Sequence, residues 1–205
     1  MSHVESDSAL QSFPVEIAVE QICEQHRHLA LVVGSLNAAI DAILAGHLSP
    51  DIPRLRAMLR YLDSFGEGVH CAIEHEYVLS PMLLNDASDE VIVHAVEEHS
   101  ACARLFAALQ AGFEEWRHVA PTSDSAFPQI AADYGALQAS HLAFEESVLL
   151  PHALEQLPAD EWPPLVRAFE SNPDPLFGAS LLPAFSTLEY LRPIAHSLHP
   201  VVTAF

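Results

Sequence analysis

The sequence contains no lysine: its eight basic residues are all arginine, set against 28 acidic residues and a formal net charge of −20. A field of that sign repels nucleic acid and anionic membrane, so neither is expected as a partner. Cysteine is scarce as well, with Cys23, Cys71 and Cys102 and no Cys-x-x-Cys. An odd count in a chain of 205 residues excludes a disulfide scaffold and fits a reducing, cytoplasmic setting. No apolar run reaches the roughly 18 residues that a membrane helix needs. The start, with Glu5 and Asp7, is not a secretory signal. Against these absences, 50% of the residues are hydrophobic, which calls for a packed core rather than disorder. Histidine is in excess: 13 residues, more than all the arginines together. It adds little solubility at neutral pH, so part of this excess is expected to carry chemistry.

Apolar spacing of three and four residues predicts four long helices. The first runs from about Pro14 to Ala45, with Pro14 in its first turn and Gly46 and Ser49-Pro50 ending it. The second runs from about Asp51 to Leu84. Gly66 and Gly68 weaken its middle but allow close helix approach, and Pro81 marks a kink or stop. The third spans about Ser88 to His118, with Ser88 as N-cap and Asp89 and Glu90 as first-turn acids. The fourth starts within Thr122–Pro128 and reaches about Glu155. Four long helices on short polar connections make an all-α, antiparallel up-down four-helix bundle the expected architecture. Residues 1–157 are read as this bundle. Residues 158–205 are read as a short helical extension packed on it, with helices near Asp160–Glu170 and Ala184–Leu191.

One pattern occurs twice: His26 followed by His70 and Glu74, then His99 followed by His141 and Glu145. The lone histidine precedes its His-x-x-x-Glu by 44 residues in the first copy and by 42 in the second. Both lone histidines lie ten positions before a leucine, Leu36 and Leu109, and both His-x-x-x-Glu runs lead to a proline, Pro81 and Pro151. The two halves read as copies of one helical hairpin. Residues four apart share a helix face, so each histidine and its glutamate can point inward together. Four imidazoles and two carboxylates on four helices suit a pair of first-row transition metal ions, with the carboxylates able to bridge them. Iron is the leading choice, and manganese and zinc accept the same donors.

On Gln25-His26-Arg27, His70-Cys-Ala-Ile-Glu74, Glu98-His99, and His141-Leu-Ala-Phe-Glu145-Glu146 with Val148-Leu-Leu-Pro151, the sequence resembles the hemerythrin-like family, in its histidine–histidine–glutamate cation-binding members. The resemblance covers about residues 15–155. It implies a bundle enclosing two non-haem irons, bridged by the two carboxylates and an oxo or hydroxo group. The ligands implied are His26, His70, Glu74, His99, His141 and Glu145. It also implies binding or sensing of dioxygen, nitric oxide or peroxide. The oxygen-carrying members have a second histidine on the third helix, where this chain has Ala103, and a His-x-x-x-x-Asp on the last helix, where it has Glu145 four after His141. One iron is therefore short of a protein ligand, which leaves room for water, an exogenous ligand, Tyr134 or Glu67.

Around the site, Cys23 and Cys102 are read as small hydrophobes, with a redox thiol as the alternative. Glu24, Glu98 and Glu146 are near enough to orient the imidazoles but are read as solvated acids. His28, His75 and His94 are expected to point away from the ligand stripe. Two further readings stand beside the sensing one: a di-iron oxidase or peroxidase, and a metal-stabilised module whose acidic surface binds a protein. A homo-oligomer is compatible with all three.

Overall fold

In a computed structural model, which describes residues 4–118 and 125–198, the chain is all-helical, with no strand among the described residues. Helix α1 spans Val4–Leu44. It begins well before the expected start: Pro14 lies inside the helix, not in its first turn, at the cost of one backbone donor. Gly46, at φ 72°, turns the chain after it. Pro14–Leu44 is long and apolar enough, at a mean hydropathy of 1.3, to cross a membrane by length and composition. This corrects the expectation that no run is long enough. Its apolar residues have another use here, since Ala18, Ile22, Leu29, Val32, Val33, Leu36 and Ile40 are buried in the protein core.

The second helical stretch is continuous but not uniform. Asp51 caps α2 (Ile52–Tyr61) by accepting from the backbone N–H of Arg54 at 3.1 Å. Wide π-helical turns follow over Leu62–His70, then α3 (Cys71–Glu74), a second π-helical turn over His75–Leu79, and α4 (Ser80–Asn85). Pro81 neither stops nor breaks this stretch. The widened turn before it bonds the Ser80 N–H to the His75 carbonyl, so the register has already slipped where proline would otherwise clash. Glu145–Leu149 repeats the device ahead of Pro151, between α6 (Phe127–Phe144) and α7 (Leu150–Gln156). Gly66 and Gly68 lie in the first widened stretch. A Cβ on Gly66 would meet Leu29 Cδ2 at 3.1 Å, and one on Gly68 would meet the Asp63 carbonyl at 3.2 Å.

Helix α5 (Glu90–Trp116) is capped by Asp89, not Ser88. The Asp89 carboxylate accepts from the N–H groups of Val91 and Ile92, while Ser88 bonds to Asp86. The short carboxylate of Asp89 is one residue closer to the free N–H groups, which decides the competition. A 3₁₀ turn at Ala159–Glu161 leads into α8 (Trp162–Ser171), and a 3₁₀ helix at Pro183–Leu191 leads into α9 (Arg192–Ser197).

The core divides into two apolar clusters. One gathers Leu29 to Ile40 of α1, Leu55 to Phe65, Phe106 to Trp116, and Phe127 to Tyr134. The other gathers Ala18 and Ile22, Ile73 to Met82, Ile92 and Ala95, and Leu149 to Leu157. Along each long helical stretch the chain passes from one cluster to the other. The crossing points are His26, His70, His99 and His141, so the histidine pattern marks a polar layer between two dry cores. The C-terminal segment belongs to both: Trp162, Leu165 and Phe169 join one cluster, and Leu176, Phe177, Phe185, Leu188 and Leu191 join the other.

Candidate metal centre

The structure brings all six expected residues together. His26, His70, Glu74 and Glu145 form one group of donor atoms within 4.8 Å of one another, and His99, His141 and Glu145 form a second. All are buried except His99, which is 12% exposed at its side chain. Glu145 belongs to both groups. Its carboxylate lies 3.2 Å from His26 Nε2, 2.9 Å from His99 Nε2 and 3.3 Å from His141 Nε2. Glu74 lies 3.3 Å from His70 Nε2 and 3.5 Å from His26 Nε2, but only 3.9 Å from His99 Nε2. The two carboxylates, both expected to bridge, are thus unequal in reach.

Three of the imidazoles are held from behind. His26 Nδ1–H donates to Glu146 Oε1 at 3.0 Å, His70 Nδ1–H to Gln25 Oε1 at 2.9 Å, and His141 Nδ1–H to Glu98 Oε2 at 3.3 Å. Each outer partner is the chain neighbour of a residue in the centre. Glu98 and Glu146, expected to be solvated acids, therefore orient the rings, although Glu146 remains 44% exposed. Gln25 went unrecognised in the sequence because its partner is 45 residues away. With Nδ1 carrying the proton, each Nε2 presents a lone pair to the centre, where carboxylate oxygens also present lone pairs. His26 Nε2, His70 Nε2, Glu74 Oε2 and Glu145 Oε2 are buried with no hydrogen-bond partner. Acceptors facing acceptors in a buried layer repel unless a proton or a metal cation lies between them. The donor set therefore fits metal ions on the evidence of its own unsatisfied atoms.

The electrostatics agree. Burial pushes the His70 imidazole down to about 4, so it stands neutral and ready to ligate. At His26, burial would lower the value, but contacts with Glu145, Glu146 and Glu74 outweigh it and hold it well above normal. His99 is raised in the same way, with Glu145 foremost. For Glu145, burial alone would raise the value, yet its hydrogen bonds to His26 and His99 hold it well below the usual carboxylate range. When no ion is bound, protons on Nε2 of His26 and His99 supply the positive charge that Glu145 requires, and metal ions would replace those protons.

The neighbouring residues sort by position. Cys102 is buried and its thiol is pushed up to about 12, chiefly by burial, so no reactive thiolate stands beside the centre. Cys23 and Cys71 are raised for the same leading reason, and all three are free thiols. His75 and His94 are exposed, as expected. His28 faces away from the centre but not into solvent: it donates to Asp174 at 3.1 Å and stacks on Phe177 at 4.2 Å. His152 pairs with Asp89 at 2.6 Å. Glu67 falls outside both donor groups. It lines a narrow space beside the centre together with Tyr134. His3 and His199 lie outside the described residues.

No curated protein and no solved structure matches the chain. The family model described as the Hemerythrin HHE cation binding domain matches residues 17–153, which contain all six residues of the centre. With more than half of its length matched, and with a buried cluster of histidines and glutamates that could hold cations, the chain belongs to the hemerythrin HHE cation-binding family.

Proposed function

We propose that this is a cytoplasmic, non-haem di-iron protein that binds or senses dioxygen, nitric oxide or peroxide. His26, His70, Glu74, His99, His141 and Glu145 would hold the ions. The observation that carries the reading is the convergence of unpartnered, buried imidazole nitrogens and carboxylate oxygens on one layer. The alternation of the two apolar clusters along successive helices supports an antiparallel, up-down arrangement of the four long helical stretches. Bound there, a pair of redox-active ions would supply electrons and an open coordination position.

The chain's own residues do the rest. Gln25, Glu98 and Glu146 hold Nδ1 of three imidazoles, so that Nε2 of each faces the centre. Glu145 belongs to both groups, so it would be a ligand open to either ion. The apolar clusters on either side exclude bulk water and strengthen every charge interaction inside. The group around His99 and His141 holds three donors where the other holds four, so the protein would supply fewer ligands on that side. The test is to expose anaerobically reduced, iron-loaded protein to nitric oxide and then to dioxygen. A fast spectral change that saturates without added reductant supports the reading. No reaction overturns it, and sustained turnover with reductant would identify an oxidase or peroxidase instead.

A further inference from the structure

We infer that α8, which follows the family-matched residues 17–153, is a clasp on one half of the centre. Its Phe169 is a positioning residue for His70, so that a cation held by His26, His70, Glu74 and Glu145 is retained longer than one held by His99, His141 and Glu145. This rests on the reading of the centre as a metal pair. Trp162, Leu165 and Phe169 recur at three- and four-residue spacing on one face of α8, and all three are buried. They join Ala18 and Ile22 of α1 and Ile73 of α3 in one apolar cluster. From there the Phe169 ring stacks on the imidazole of His70, with centroids 6.4 Å apart and planes at 26°.

Three neighbours thus confine the His70 ring: Phe169, the Gln25 Oε1 that accepts from its Nδ1–H at 2.9 Å, and the His26 ring, set edge-on with centroids 5.0 Å apart. An imidazole gives up a cation by turning away from it, and local opening of its surroundings sets how often that happens. With Phe169 against the ring, His70 turns only when α8 gives way. The same segment is tied to this half a second time. Asp174, three residues past the end of α8, accepts from His28, two residues past His26, at 3.1 Å. The other half has no such cover. His99 is 12% exposed at its side chain, and among the described residues no ring contact or hydrogen bond joins α8 to His99 or His141. Four donors against three act in the same direction.

The experiment loads the full chain with ferrous iron under anaerobic conditions, measures its iron content, and follows release into an excess of a coloured ferrous chelator. Wild-type protein should release iron in two phases of equal amplitude. Phe169→Leu keeps an apolar side chain in the cluster but takes the ring off His70. It should speed the slow phase about 2- to 10-fold, the range for one lost aromatic contact, and leave the fast phase within about twofold. Phe169→Ala should speed the slow phase further. The fast phase is the internal control, because a generally looser fold quickens both. A fast phase that quickens beyond that range, alone or with the slow one, overturns the inference. An unchanged slow phase in Phe169→Leu at full iron content, or release of all iron in one phase from the wild type, also overturns it and leaves the metal reading intact. Wild-type protein that takes up no iron overturns the metal reading, and this inference with it.

Discussion

Replacing Asp174 with alanine should destabilise the protein by about 3 kcal/mol while leaving its metal content unchanged. Asp174 lies in the Asn172-Pro173-Asp174-Pro175 break after α8. Its Oδ1 accepts from the N–H groups of Leu176 and Phe177, both at 2.8 Å, which turns the chain after α8. Its Oδ2 accepts from Tyr61 O–H at 2.7 Å and from His28 Nδ1–H at 3.1 Å, so one carboxylate joins the C-terminal segment to α1 and α2. Tyr61 is fully buried and Phe177 packs on both of its partners, so the Tyr61 hydroxyl would lose its acceptor in a buried setting. A buried donor left unsatisfied costs about 1–3 kcal/mol, and the lost turn cap adds about 1 kcal/mol. In a chain of 205 residues, a loss of about 3 kcal/mol lowers the unfolding temperature by about 6–12 °C. Thermal unfolding of metal-free protein, followed by circular dichroism, reads the effect. Tyr61→Phe removes one donor but no packing, so its shift should be roughly a third as large. An Asp174→Ala protein that melts within about 1 °C of the wild type would refute the claim that this carboxylate anchors the C-terminal segment.

Further outcomes follow from the centre and its supports. Alanine at His70 or at His141 should lower bound metal per chain, read by elemental analysis; unchanged metal in both would remove the site as described. Gln25→Leu leaves every donor in place but frees the His70 ring, and should weaken metal affinity by about 10- to 100-fold in a chelator competition. Asp89→Ala should cost about 1 kcal/mol in chemical denaturation through loss of the α5 cap. The Asp89 carboxyl is held below its ordinary value, foremost by its hydrogen bond to His152. Its contribution is therefore fully present above the unfolded value of about 3.9 and fades as pH falls through the lower folded value. A pH titration of stability in which Asp89→Ala and wild type keep a constant gap below pH 4 would contradict that assignment.

The centre was legible in the sequence because its geometry is local. His70 with Glu74, and His141 with Glu145, are one helical turn apart, and periodicity alone sets their direction. The duplication supplied the rest, by matching His26 with His99. The support of the centre was not legible in the same way. Gln25 and Glu146 act on histidines 45 and 120 residues away; Glu146 was weighed for its place beside Glu145, but local rules favour a solvated acid there. Asp174 reaches His28 across 146 residues. The widened turns before Pro81 and Pro151 are also a tertiary outcome: each keeps a helix running through a residue that local rules treat as a breaker. The start of α1 was misplaced for the same reason, since Pro14 reads locally as a first-turn residue yet lies within the helix.

The central claim is that a pair of iron ions sits where the unsatisfied imidazole and carboxylate atoms converge. Its most direct test is the metal content of protein purified without a chelating tag, together with an optical spectrum before and after exposure to air. Two irons per chain, with near-ultraviolet absorption of a coupled ferric pair appearing on oxidation, is the result predicted. No iron, or a single zinc per chain with a featureless spectrum, would contradict it.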